Sequence, residues 1–220
     1  MRRYAPLALM ILCGILSAEN AQVIRAPVWV YLETVPGKMS SEEQQAKLPP
    51  IQELDEIGRF VLGGMIYGWK FSYTPSDVLR RVDEFFSMEP VQEINRGDPR
   101  FYLSSIKPQY PHLSCWAEFT LDESQSLWTS RWDSVLFKPS NGRGKADRTL
   151  EMQGIKKAYS QAVLLAVREQ ARKLVKNKPK EINGEVLLRD NPRLFVDEGY
   201  FVADIKVLIN IVELVPYRTF

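Results

Sequence analysis

Residues 148–176, RTLEMQGIKKAYSQAVLLAVREQARKLVK, decide the fold class. Met152, Ile155, Tyr159, Val163, Val167, Ala171 and Leu174 recur at three- and four-residue spacing, the apolar stripe of one long helix from about Arg148 to Lys176. Six consecutive apolar residues at 162–167 place the helix centre against protein on more than one side. Asn183-Gly184 and Asn191-Pro192 then read as turns. The chain closes with a long strand carrying Phe201, Ala203, Ile205, Val207, Ile209 and Ile211 on one face.

Upstream of the helix, Pro139-Ser140-Asn141-Gly142-Arg143-Gly144 reads as a linker. Val28 to Leu32 read as a first strand, and Ser40 with Glu43 forms a capping box for a short polar helix. A second helix follows Pro49-Pro50, with Ile51, Leu54, Ile57 and Val61 at helical spacing. Met65, Tyr67, Trp69, Phe71 and Tyr73 alternate with smaller or polar residues, a strand with one apolar face. Thr74-Pro75 caps an expected helix whose stripe is Val78, Leu79, Val82, Phe85 and Phe86. Residues 95–112 read as loop. A second alternating strand runs through Leu113, Cys115, Ala117, Phe119 and Leu121, and 127–137 reads as its hairpin partner. The expected fold is therefore α+β: an antiparallel or mixed sheet, several short helices, and one long helix of the C-terminal half packed on it. Residues 22–220 form one expected domain, with a possible sub-boundary near 139–145.

The first 21 residues have the layout of a secretory signal: Arg2-Arg3, an apolar run from Ala5 to Leu16, then small or polar residues. Sec export is favoured, with cleavage after Ala18 or Ala21 and a periplasmic location; lipidation at Cys13 is the less favoured route. Removal of this segment leaves Cys115 as the only cysteine, so no internal disulfide can form. There is no Asn-x-Ser/Thr sequon. Both features suit a bacterial envelope protein with an adequate core.

Composition removes several functions. The 220 residues are 45% apolar and 25% charged with a formal charge of +2, which fits neither a disordered chain nor a general nucleic-acid binder. His112 and Cys115 are too few for a zinc site, and no calcium loop is present, so no metal and no cofactor is expected. No nucleophile elbow accompanies His112, and Cys115 sits on the apolar face of its strand. No catalytic residue is assigned. A carboxylate-dependent hydrolase of envelope polymers is the enzymatic alternative, since any two acids can converge in a fold.

Charge layout is the more informative signal. Residues 138–180 hold twelve Lys and Arg against three acids, while 22–137 and 181–220 are net acidic. Arg143, Lys145 and Arg148 at one end of the long helix, and Arg172, Lys173 and Lys176 at the other, are candidates for an anionic partner. That partner would be an envelope protein, an anionic polymer or, peripherally, a membrane surface. Trp128 and Trp132 lie in a less apolar segment and are candidate surface aromatics. An Ala-rich helix followed by a long alternating strand over 150–212 resembles modules of bacterial exported assembly proteins. The resemblance implies a non-catalytic binding, structural or assembly-accessory role.

Overall fold

The structure is a computed structural model, and it describes residues 22–33, 48–174 and 178–217. The segment read as a secretory signal, the expected Ser40–Glu43 capping box and Lys176 lie outside the described residues. In chain order the elements are β1 (Val23–Tyr31), α1 (Pro50–Ile66), β2 (Trp69–Thr74), β3 (Phe85–Pro90), β4 (Phe101–Gln109), β5 (His112–Thr120), α2 (Glu123–Arg131), β6 (Lys138–Asp147), α3 (Glu151–Leu174), β7 (Glu181–Leu188), β8 (Arg193–Asp197) and β9 (Tyr200–Val215). The fold is α+β. All strand pairs are antiparallel, in a three-stranded sheet ordered β1-β5-β4 and a six-stranded one ordered β3-β2-β7-β9-β6, with β8 also on β9.

Period-2 alternation builds the sheets where it is strongest. Trp69, Phe71 and Tyr73 of β2 are buried while Lys70 between them is exposed. Phe201, Ala203, Ile205, Val207 and Ile209 of β9 face the same core. Helix α1 begins with Pro50 at its first turn, where the missing N–H is harmless. It lays Leu54, Ile57 and Val61 on β1 and β5 and also reaches β7, so one buried cluster joins both sheets.

Helix α3 docks differently, through small residues. Ser140, Gly142, Gly144 and Ala146 are the buried positions of β6, and they lie beneath Ala158, Ala162 and Ala166 of α3. A Cβ on Gly142 would come within 1.9 Å of the Ala162 carbonyl oxygen, and one on Gly144 within 2.1 Å of that of Ala158. The Ser140 hydroxyl donates to the Ala166 carbonyl at 3.0 Å. Two residues of strand span roughly 6.6 Å and four of helix roughly 6 Å, so the helix and the strand stay in step over this contact.

Several local expectations fail here for tertiary reasons. The linker read at 139–144 is the body of β6; its glycines admit a helix rather than loosen the chain. Residues 77–82 form a tight turn, with the Asp77 carboxylate accepting from the Leu79 and Arg80 amides, in place of the expected helix. Val78 and Leu79 are consequently exposed, and β3 instead stacks Phe86 on Phe71 of β2. Residues 101–109 are edge strand β4, where Pro108 is tolerated, rather than loop. The expected hairpin partner at 127–137 begins as α2, started by a reciprocal cap between Asp122 and Gln125. Asn183-Gly184 is a register shift within β7, not a turn.

Gly142→Val is expected to lower unfolding free energy by about 3 kcal/mol through overpacking under α3. Urea denaturation will measure it, with Asn141→Ala, on the opposite face of β6, leaving the midpoint in place.

Candidate functional site

The cations of the basic segment divide into two groups with different surroundings. Arg143 and Lys145 alternate with the buried glycines and so point away from α3. There they meet the acidic β8–β9 hairpin: Arg143 Nη2 lies 2.7 Å from Asp204 Oδ2, and Lys145 Nζ lies 3.0 Å from Asp197 Oδ2 and 3.8 Å from Glu198. Hydrogen bonds to Asp204 and Asp197 raise the pKa of each above its ordinary value. Arg148 turns inward, its guanidinium 5.3 Å from the Tyr31 ring centre and donating to the Tyr31 hydroxyl at 3.3 Å. With Arg148 held by a neutral phenol, this end of the helix is compensated by carboxylates at Arg143 and Lys145.

The other end is not. Arg168 and Arg172, four residues apart on α3, lie on one face and line an open cavity of about 480 Å³. Lys178, Tyr73, Ile182 and Glu84 complete the working surface. Glu84 is the acid in this lining and is already engaged, accepting from Arg168 and, at 2.9 Å, from the Tyr73 hydroxyl. Burial, then the Glu84 carboxylate, push the Tyr73 pKa up, so the phenol stays neutral and holds its hydrogen bond. Lys178 donates to the Ser76 carbonyl at 2.8 Å, a neutral partner, and no carboxylate among the described residues compensates its charge. Arg172 has no acidic partner among the described residues. The cleft therefore presents two cations that no carboxylate among the described residues compensates, chemistry suited to an anionic group.

Of the residues singled out from sequence, Arg172 is in this cleft. Lys173 points elsewhere and pairs with Glu169 one turn back at 2.7 Å. Lys176 lies outside the described residues. Arg143, Lys145 and Arg148 are at the opposite end of α3. Trp132 is not a surface aromatic: it is 2% exposed, closing a small second core with Leu187, Leu208 and Phe137 on the far face of the larger sheet. Trp128 is half-buried, with the Arg131 guanidinium 5.4 Å from its ring centre. Arg168, Tyr73 and Glu84 were missed. The four-residue spacing of Arg168 and Arg172 was a usable signal, whereas the contact to Glu84 spans 84 residues and had none.

His112 and Cys115 do not meet, because an odd separation puts them on opposite faces of β5. The His112 ring packs against Trp29 and Tyr31 at 4.4 and 4.8 Å, and burial lowers its pKa. Burial pushes the Cys115 thiol up to about 11. Among the described residues no three His, Cys, Asp or Glu side chains converge to hold a metal ion. No described helix is long and apolar enough to cross a membrane.

A protein-family model matches residues 12–217, which takes in both sheets and all three helices. The chain belongs to that family. A protein of Treponema pallidum (strain Nichols) with the description "Uncharacterized protein" is 36% identical over 204 residues, covering 93% of this chain and 86% of the relative. No solved structure matches. The likeness to the relative extends over nearly the whole chain, so what the two share is a complete fold rather than one motif.

Native protein at pH 8 is expected to react with an aromatic disulfide reagent at Cys115 only after denaturation, because the buried thiol is almost wholly protonated there. A thiol titration with and without guanidinium checks this.

Proposed function

We propose that this is an exported bacterial envelope protein with a non-catalytic role, binding an anionic group of an envelope protein or polymer through the cleft at the C-terminal end of α3. The observation that carries the reading is the contrast between the two ends of that helix. Arg143 and Lys145 are tied to Asp204 and Asp197. Arg172 and Lys178 line a cavity with no carboxylate on them among the described residues. A cation already paired gains little from a second anion, whereas an uncompensated one attracts it over a distance set by the salt concentration.

The exported location rests on the arrangement of Arg2-Arg3, the apolar run and the small residues up to Ala21. Mass spectrometry of the protein recovered from the cell envelope is expected to give an N-terminus at residue 19 or 22. An acylated Cys13 would replace a free periplasmic protein with a lipid-anchored one.

The binding reading is tested with isolated cell-wall sacculi. Retention at low ionic strength is expected, falling steeply as salt is raised. The double variant Arg172→Glu, Lys178→Glu is expected to weaken retention at least tenfold. The double variant Arg143→Gln, Lys145→Gln is expected to leave it unchanged. Loss of binding in the second pair and not the first would move the site to the wrong end of the helix and sink the proposal. So would retention insensitive to salt.

A further inference from the structure

A second cavity, of about 280 Å³, lies between α1, the segment after β3 and the first turns of α3. Lys156 here and Arg168 in the cationic cleft are twelve residues apart on α3, roughly 18 Å along the axis, so the two are separate. The floor is apolar and aromatic: the half-buried Phe60 ring is backed by the buried Trp69 ring, 5.3 Å from it, and by buried Ile94. The rim carries both signs of charge. Glu56, whose side chain is 18% exposed, accepts from Arg96 and lies 4.0 Å from Lys156 Nζ. Arg59 is more buried still, held by Asp55 one turn back at 2.7 Å.

Two neighbouring glycines differ in what a side chain would meet. A Cβ on Gly64 would sit 2.2 Å from the Trp69 ring, so packing alone demands glycine there. A Cβ on Gly63 would find only the Gln92 carbonyl at 3.8 Å, and Gly63 lines the cavity. Glycine is less favourable in a helix than alanine, and no neighbour requires it at 63. Any side chain at that position would project into the cavity and shrink it.

We infer that this cavity binds a small zwitterion with an apolar side chain, an α-amino acid or a close analogue. Its carboxylate would be taken by Arg96 and Lys156, its ammonium by Glu56, and its side chain by the Phe60–Trp69 floor. An anion alone would leave Glu56 and Glu93 of the lining facing it, and a cation alone would face Arg59, Arg96 and Lys156. A zwitterion satisfies both, and the ligand ammonium replaces the charge that Glu56 gives up when Arg96 and Lys156 turn to the carboxylate. The volume lies just below that of pockets for drug-sized ligands, which suits an amino acid better than a cofactor.

Calorimetric titration of the full exported protein with L-phenylalanine tests this, beside N-acetyl-L-phenylalanine, which lacks the ammonium, and L-phenylalanine methyl ester, which lacks the carboxylate. Saturable binding of the amino acid is expected, at least tenfold weaker for each blocked form. Glu56→Gln should weaken it at least tenfold. Gly63→Leu should abolish it while the melting temperature stays level or rises, which separates a filled cavity from a damaged fold. Absence of saturable binding to the amino acid, equal binding of the acetylated form, or undiminished binding to a stably folded Gly63→Leu variant would each overturn the inference. None of these outcomes bears on the cationic cleft, whose residues are different.

Discussion

The contact between α3 and β6 sets the architecture. Three alanines one turn apart on the helix sit over a serine and two glycines on alternate strand positions, and no Cβ fits between backbones at 142 or 144. Close approach puts the larger side chains of α3, such as Tyr159 and Val163, into the cluster shared with α1 and β9. It also fixes which residues of β6 are free to carry charge. With 140, 142, 144 and 146 committed inward, Arg143 and Lys145 must point outward, and the register of β6 on β9 sets Arg143 opposite Asp204. One steric constraint thus dictates both a core and an ion-pair surface.

This constraint explains what the sequence could and could not convey. The α+β class, the long helix, β2 and β9 were readable because each announces itself within a few residues, by three- to four-residue recurrence in 152–174 or by alternation at Trp69, Phe71 and Tyr73. Strand β6 has alternation too, but of small against charged residues. Proline, asparagine and two glycines in six positions read locally as a linker, and only the presence of α3 gives them their meaning. Val78 and Leu79 failed in the opposite direction. Their spacing suits a helix face, yet Asp77 closes a turn and no core lies beneath them. Trp132 is a third case, since its polar neighbours belong to a capped helix that carries it over Leu187 and Leu208.

The candidate site shows the same division. Arg172 was legible because a run of like charge is a local property. That Arg143 and Lys145, in the same run, are compensated was not, because Asp197 and Asp204 lie more than fifty residues away and are brought opposite by strand pairing. The zwitterion cavity was less accessible still. Glu56, Arg96 and Lys156 come from three distant segments, and none stands out by composition.

Local charge totals therefore overstate what a surface offers. The basic excess of 138–180 is met in part by the acidic excess of 181–220, strand against strand, at separations of 3 Å or less for Arg143 and Lys145. At physiological salt the screening length is about 8 Å, so a paired cation is nearly invisible to a partner approaching from solution. An unpaired one inside a concave, partly apolar wall is not, because the wall lowers the local dielectric and excludes screening ions. The relevant quantity is then the number of cations left without a carboxylate once the sheet has formed. Among the described residues of α3 these are Lys157 and Arg172, and of the two Arg172 lines a cavity, standing clear of Glu84 because Arg168 and Tyr73 already occupy it.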